Sequence, residues 1–418
     1  MEPTRLKTES TKLWNRDFTL LIIGQVISIF GNMILSFALP LYILYISGSA
    51  ALFGLVLGLT NIPLLIMSPI GGMIADRFRK QRVMFWLDAS TTALIVVYIA
   101  VSGFATTILP IIIVKLMALN AIQGVYMPAV SSSVPVLVTE KKLVSANAAV
   151  NLVNSLSGMA GMAIAGLLFA AFGLLPILIA SAVCFAITAV MDLFIRVPFK
   201  QQDSSGGIVK IAKGDLSQSA KFMKGKPVIV KCAVVAFMLS ATLLSMIMVG
   251  IPVLVTQHLD MGMEFVGISQ SFMMSGGIMG GIAAGVLGSK LKINNVHLLI
   301  MMSGLVMIPV GLTFLLNTPY FVTYVIITAA CVAALAFVTT ANIQVVSLIQ
   351  KETPTELIGK VMSLVVMLPF LANALGQYVY GIVFEQFAAL PYIVMFATVG
   401  IVVVIALYTR KGFKNLYS

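Results

Sequence analysis

Long apolar runs and short polar gaps alternate along the whole chain. Mostly apolar stretches of roughly 20 residues or more fall near 17–45, 51–75, 83–103, 107–137, 144–171 and 175–196, and again near 228–257, 265–288, 295–316, 320–350, 355–385 and 391–409. Strands of a membrane barrel would show ten-residue segments alternating with period two, and these runs do not alternate. In a bilayer only helices otherwise satisfy their own backbone. The pattern therefore predicts an all-α membrane protein with twelve transmembrane helices. The one long gap, residues 198–227, is polar and Lys-rich. It divides the chain into an N-terminal six-helix bundle (1–197), a linker (198–227) and a C-terminal six-helix bundle (228–418).

Charge sharpens this picture. Of 26 Lys and Arg residues, all but Lys115 fall within or at the edges of the odd-numbered gaps, counting the N-terminal tail as the first. Cations concentrate on the cytoplasmic side of membrane proteins, so both termini are expected there. The net charge of +12 then faces anionic headgroups rather than a nucleic acid. With 60% hydrophobic and only 10% charged residues, polar surface is too scarce for a soluble fold. The first run is too long for a signal-peptide core and is expected to be retained as helix 1. Absence of an N-x-S/T sequon fits a bacterial plasma membrane. Cys184, Cys232 and Cys331 show no pairing or metal-ligand spacing and read as small packing residues.

The halves repeat weakly. Leu143 followed by Gly166 corresponds to Leu357 followed by Gly381, each set entered from a short polar gap. A parallel repeat of six helices is the layout of a two-bundle transporter with its site at the midplane. Within the linker, Asp215–Lys224 is expected either as a short amphipathic helix presenting Leu216, Ala220 and Met223 to the membrane surface or as a solvated segment. Thr353-Pro-Thr-Glu356 reads as a capping box that starts the eleventh helix.

The strongest motif, Gly71-Gly-Met-Ile-Ala-Asp-Arg-Phe-Arg-Lys80, joins helices 2 and 3. Gly72 would permit close helix approach, and Asp76 would accept hydrogen bonds at the membrane edge. Here the sequence resembles the major facilitator superfamily. Gly72, Asp76, Arg77 and Lys80 match its motif, while Arg79 stands where the family usually has Gly. Asn61-Ile-Pro63, Met127-Pro-Ala129, Leu137-Val-Thr-Glu140, Ala146-Asn-Ala148 and Ile358–Ser363 extend the resemblance to a drug-efflux branch that includes macrolide-efflux and enterobactin-export proteins. The resemblance implies that Gly72, Asp76, Arg77, Arg79 and Lys80 form a gating motif, with Asp76 facing the start of helix 11; the plainer role is to anchor topology. Gly158–Gly166 of helix 5 is similar to the motif linked with antiporters, without its proline. Its small residues also suit plain helix packing.

Several polar residues interrupt the apolar runs. Lys115 lies about 13 Å into helix 4 at 1.5 Å per residue and should point into the bundle, as a substrate or proton-relay contact or as a structural cation. Asp88, about 9 Å into helix 3, is expected either to pair with a loop cation or to be a proton site. Asp192 is expected to reach Arg196 one turn on. Polar stripes on helix 1 (Gln25, Ser28, Asn32, Ser36), helix 5 (Asn147, Asn151, Asn154) and helix 11 (Asn373, Gln377, Tyr380) mark candidate cavity faces or interhelical hydrogen bonds. The substrate-cavity candidates are Gln25, Ser28, Asn32, Lys115, Asn151, Asn154, Asn373 and Gln377.

The functional expectation is a secondary active transporter that exports amphipathic or hydrophobic small molecules by alternating access and proton antiport. It needs no cofactor or metal, and is expected as a monomer partnered by its solute, protons and lipid. No nucleotide-binding loop or soluble domain is present to hydrolyse ATP. No set of His, Asp and Ser residues converges at depth, so an enzyme is not expected. The alternative is a same-fold importer, lipid flippase or uncoupled facilitator for a metabolite or lipid.

Overall fold

The computed structural model describes residues 13–102, 109–139, 142–197, 221–287, 295–354 and 357–414. Those residues form twelve helical rods: α1 Arg16–Ser47, α2 Ala50–Arg77, α3 Lys80–Ser102, α4 Leu109–Leu137, α5 Leu143–Phe172, α6 Leu174–Phe194, α7 Pro227–His258, α8 Met263–Leu287, α9 Val296–Leu315, α10 Tyr320–Glu352, α11 Ile358–Gln386 and α12 Pro391–Lys414. Eleven are long and apolar enough to cross a membrane. The other, α8, is as continuous as the rest but carries Ser, Gln and Gly in place of aliphatics. Most of the expected linker, and all but the last turn of its expected amphipathic helix, lie outside the described residues. Residues 221–224 are helical, with Met223 buried.

Local chemistry sets the helix ends. Asn15 caps α1, accepting from Phe18 N at 2.8 Å while its Nδ2 donates to Leu137 O at 2.7 Å, which ties α1 to the end of α4. Gly48 closes α1 at φ 63°, a left-handed conformation that costs glycine nothing, and Ser49 caps α2 by accepting from Leu52 N. Two expectations fail here. Thr353 does not start α11: its hydroxyl donates back to Ile349 O at 2.6 Å and closes α10, while α11 begins at Ile358 behind Leu357. Thr satisfies the free carbonyls of the helix behind it, the same local bond that lets it compete as a cap in front. The second concerns Gly72, which meets nothing; a Cβ on Gly71 would strike the backbone of Gly124 and Val125 in α4. Adjacent helix positions point about 100° apart, so only one of the two glycines can face α4.

Within the N-terminal half, α1 packs on α5 and α6, α2 on α4, and α3 on α4 and α6. The halves meet along two seams, α2 against α11 and α5 against α8. Glycines make these seams. A Cβ on Gly54 or Gly58 would collide with the backbone of Gln377 or Ala374, one on Gly381 with that of Ala50 and Ala51, and Gly166 and Gly267 abut Cα to Cα. Backbone contact of this kind lets helices in lipid gain dispersion energy without a side-chain layer between them. The repeated Gly166 and Gly381 thus occupy equivalent places, one in each seam.

All of these contacts lie toward one end of the molecule, opposite the Lys- and Arg-rich end. Following the same helix faces toward the cation-rich end, packing gives way to exposure: Ile62 and Pro69 on α2, Asn151 and Leu152 on α5, Ile278 and Ile282 on α8, and Val366 and Phe370 on α11. The two halves are closed together at one end and splayed at the other.

Candidate functional site

Polar bonds reinforce the closed end. Glu385, in the last turn of α11, accepts from Ser49 Oγ at 2.5 Å and from Ala51 N at 2.9 Å, capping the α2 N-terminus from the opposite half. A carboxylate there also meets the positive end of the helix dipole. Gln257 Nε2 donates to Gly48 O at 3.1 Å, and Ser271 Oγ of α8 to Met159 O of α5 at 2.8 Å.

Between these contacts and the splayed end lies a junction of α7 with α11. The α7 helix widens into a π-turn twice, over Ser240–Leu244 at this junction and over Leu254–His258 at its end. Ser245 Oγ donates to Ser240 O at 2.8 Å and to Asn373 O at 3.0 Å, and Asn373 Nδ2 lies 3.3 Å from Ser245 Oγ. Gln377 Nε2 donates to Asn373 Oδ1 at 2.8 Å, and its buried Oε1 has no partner among the described residues. Single π-turns inside α-helices concentrate at functional positions. Asn373 and Gln377 are thus brought together with two serines that sequence reasoning did not select. A π-turn leaves no hydropathy trace, so only the Ser240 and Ser245 pair in an apolar run hinted at it.

The α1 stripe divides. Gln25 and Ser28 are buried inside the N-terminal half, where Gln25 Nε2 donates to Tyr126 Oη of α4 at 3.0 Å. Asn32 is partly exposed and accepts from Ser36 Oγ at 3.3 Å. On α5, Asn151 is exposed and Asn154 partly so. Asn151 continues the α5 face that meets α8 toward the splayed end.

Lys115 points into the N-terminal half, as anticipated, and is only 2% exposed. Its Nζ sits 3.9 Å from the centroid of the Tyr98 ring and makes no hydrogen bond with a described residue. Ring quadrupoles attract such a cation. Tyr98 belongs to the buried apolar cluster of Leu35, Leu39, Ile95, Ile112 and Leu116, so the cation is held inside the N-terminal half.

Asp88 and Asp192 are each 2% exposed. Neither forms an ion pair with a described residue, and each keeps one oxygen without a donor. The Asp192–Arg196 pair expected from spacing does not form. Arg196 lies beyond the C-cap of α6 and is exposed, and its backbone N donates to Asp17 Oδ1 at 3.1 Å. Helical spacing brings two side chains together only while the helix continues.

The motif between α2 and α3 occupies the cation-rich end. Lys80 Nζ donates to Ser132 O near the end of α4 at 2.5 Å. Arg77 and Arg79 are exposed and, with Arg82, Phe78 and Trp86, line a cleft of about 650 Å³. Asp76 stands in the last turn of α2, and its side chain lies outside the described residues. Among the described residues no cluster of three or more His, Cys, Asp or Glu side chains has metal-binding geometry.

Comparison with known proteins agrees with this architecture. The family model described as Major Facilitator Superfamily matches residues 21–377. Macrolide efflux protein A of Streptococcus pyogenes is 21% identical over 368 residues, spanning 87% of this chain and 88% of that protein. An uncharacterized MFS-type transporter of Bacillus subtilis, YvqJ, is 23% identical over 205 residues, 48% of each chain. Among solved structures, the nucleoside transporter NupG superposes with a TM-score of 0.75 at 15% identity, covering 96% of this chain and 100% of its own. A bacterial homologue of the iron transporter ferroportin in an inward-facing state gives 0.70 at 15% identity, over 94% and 98%. The twelve-rod, two-half architecture is thus a transporter fold, and the chain belongs to the Major Facilitator Superfamily.

Proposed function

We propose that this protein is a secondary active exporter of amphipathic or hydrophobic small molecules, of the multidrug type, in a bacterial plasma membrane. It works as a monomer by alternating access, exchanging solute for protons, with the cation-rich end and both termini in the cytoplasm. The observation that carries the mechanism is the asymmetry of the seams. Two halves joined by glycine contacts at one end and parted at the other form one of the two states that a rocking transporter alternates between. Efflux as the direction, and drug-like molecules as the solutes, rest on similarity to macrolide efflux protein A across most of both chains.

In this reading residues 1–197 and 228–418 are the two moving bundles and residues 198–227 their tether. Asn32, Asn151, Asn154, Asn373 and Gln377 border the solute path, while Gln25, Ser28 and Lys115 act on it from within the N-terminal bundle. Gly72, Asp76, Arg77, Arg79 and Lys80 form the cytoplasmic gate, which is open in this state. Reconstitution into vesicles tests the proposal. A fluorescent lipophilic cation should move when a proton gradient is imposed and stop when an ionophore collapses it. Movement insensitive to the gradient would indicate an uncoupled facilitator; no movement of any lipophilic probe would contradict drug export.

A further inference from the structure

The core of the N-terminal half is built in layers. One apolar cluster, with Phe18, Leu21, Met84, Ala129 and Ile195, fills the cation-rich end, and another, with Leu39, Ile95, Leu116 and Phe185, fills the closed end. Gln25, Ser28, Asp88 and Thr188 lie between them, beside Tyr126 of the first cluster, with Asp192 one turn beyond Thr188 on α6. Polar residues at depth cost stability and persist where they serve a solute or ion.

The groups in this layer interact with one another. Tyr126 is within electrostatic range of both carboxylates and accepts a hydrogen bond from Gln25 of α1. Thr188 of α6 lies beside Asp88, and Asp192 lies within range of the Asp88 charge. Among the described residues, the polar groups related to the pair are Tyr126 and Thr188, with Gln25 bonded behind Tyr126, and none of these is cationic. Thr188 Oγ1 also lies 3.0 Å from Phe185 O, to which it donates.

Two buried carboxylates with no cation beside them among the described residues, each with an undonated oxygen, are costly while both are charged. We propose that Asp88 and Asp192 form a cation site between α3 and α6 that holds one exchangeable proton, and that this is the proton exchanged for solute. The second half of the proposal rests on the exporter reading. The site takes a proton rather than a metal ion because it offers few oxygens, and hard metal ions demand about six or more. Loading adds one proton to one carboxylate and leaves a carboxylic acid beside a carboxylate; unloading returns it to water, with no other bond changed. Asp192 lies two residues from the end of α6, a short path to the cytoplasmic side. Tyr126 and Gln25 link the pair to α1, whose Asn32 and Ser36 are accessible.

Infrared difference spectroscopy of the full chain in liposomes, titrated across neutral pH, reads the carboxyl proton whether or not any solute is moved. The wild type should show one titrating carboxylic-acid band that disappears in the Asp88→Asn/Asp192→Asn double variant, with each variant's fold checked by thermal melting. An unchanged band in the double variant, or no titrating band in the wild type, would overturn the proton site. So would displacement of the band by sodium. If the band behaves as expected, the single variants should lose gradient-driven movement of the lipophilic cation yet retain its gradient-independent exchange. Loss of both modes, or of neither, would overturn the coupling half. A titrating band in a protein that moves no probe at all would place the failure in the exporter reading.

Discussion

Lys115 illustrates how a single buried charge reports function. A lysine held against Tyr98 without a hydrogen bond is a poor stabilising device, since replacing buried ionic groups with apolar ones of similar size is often neutral or stabilising. Lys115→Met should therefore leave the melting temperature equal or higher. If the cation serves transport, the same change should slow efflux about tenfold, or about 1.4 kcal/mol of activation free energy. A parallel thermal-shift and vesicle-efflux measurement separates the two effects; a destabilised but fully active variant would return Lys115 to a structural role. Asp76→Asn, in turn, should stop transport while membrane insertion and yield stay normal, which a fluorescence-detected purification checks. At this scale the sequence was legible where depth alone decided, as for Lys115 and Asp88. It was not legible where phase or partner decided. Gly71 rather than Gly72 faces α4, Thr353 ends a helix instead of starting one, and Arg196 falls past the end of α6 that holds Asp192.

The helices were readable almost to their ends, because lipid imposes a length and a composition that a one-dimensional scan detects. The seams were not. Gly54, Gly58, Gly267 and Gly381 look like any other small residues until helices α2 and α11, or α5 and α8, are placed side by side. The π-turn of α7 and the glutamate that caps α2 from α11 depend likewise on partners more than a hundred residues away. Two predictions belong here. Gly54→Leu wedges the α2–α11 seam; overpacking of this kind costs about 1–3 kcal/mol, enough to shift the populations roughly 5–150-fold toward a state open at the opposite end. Thiol labelling of a cysteine placed at Ala374 should rise accordingly, and an unchanged labelling rate would mean that the seam does not close as described. Glu385→Gln weakens the cap on α2 by about 1 kcal/mol. A smaller shift in the same direction, about fivefold, is expected from the same labelling.

For the molecule as a whole, the account makes the two halves rigid bodies that rock about a midplane junction. The N-terminal core buries two carboxylates in a polar layer between apolar clusters, while among the described residues the buried polar groups of the C-terminal half, such as Ser245, Gln377 and Thr398, are uncharged. In the proposed mechanism ion handling therefore belongs to the first half, and the Asn373–Gln377–Ser245 junction of the second half to the solute. The most direct test of rocking is the pair of distances across the two ends. Spin labels at Ser47 and Phe387 would report the closed end, and labels at Phe78 and Lys351 the splayed end, in liposomes with and without a proton gradient. Two exchanging populations are expected, whose distances change in opposite senses, the first lengthening as the second shortens. Distances that stay fixed, or that lengthen together, would contradict rocking.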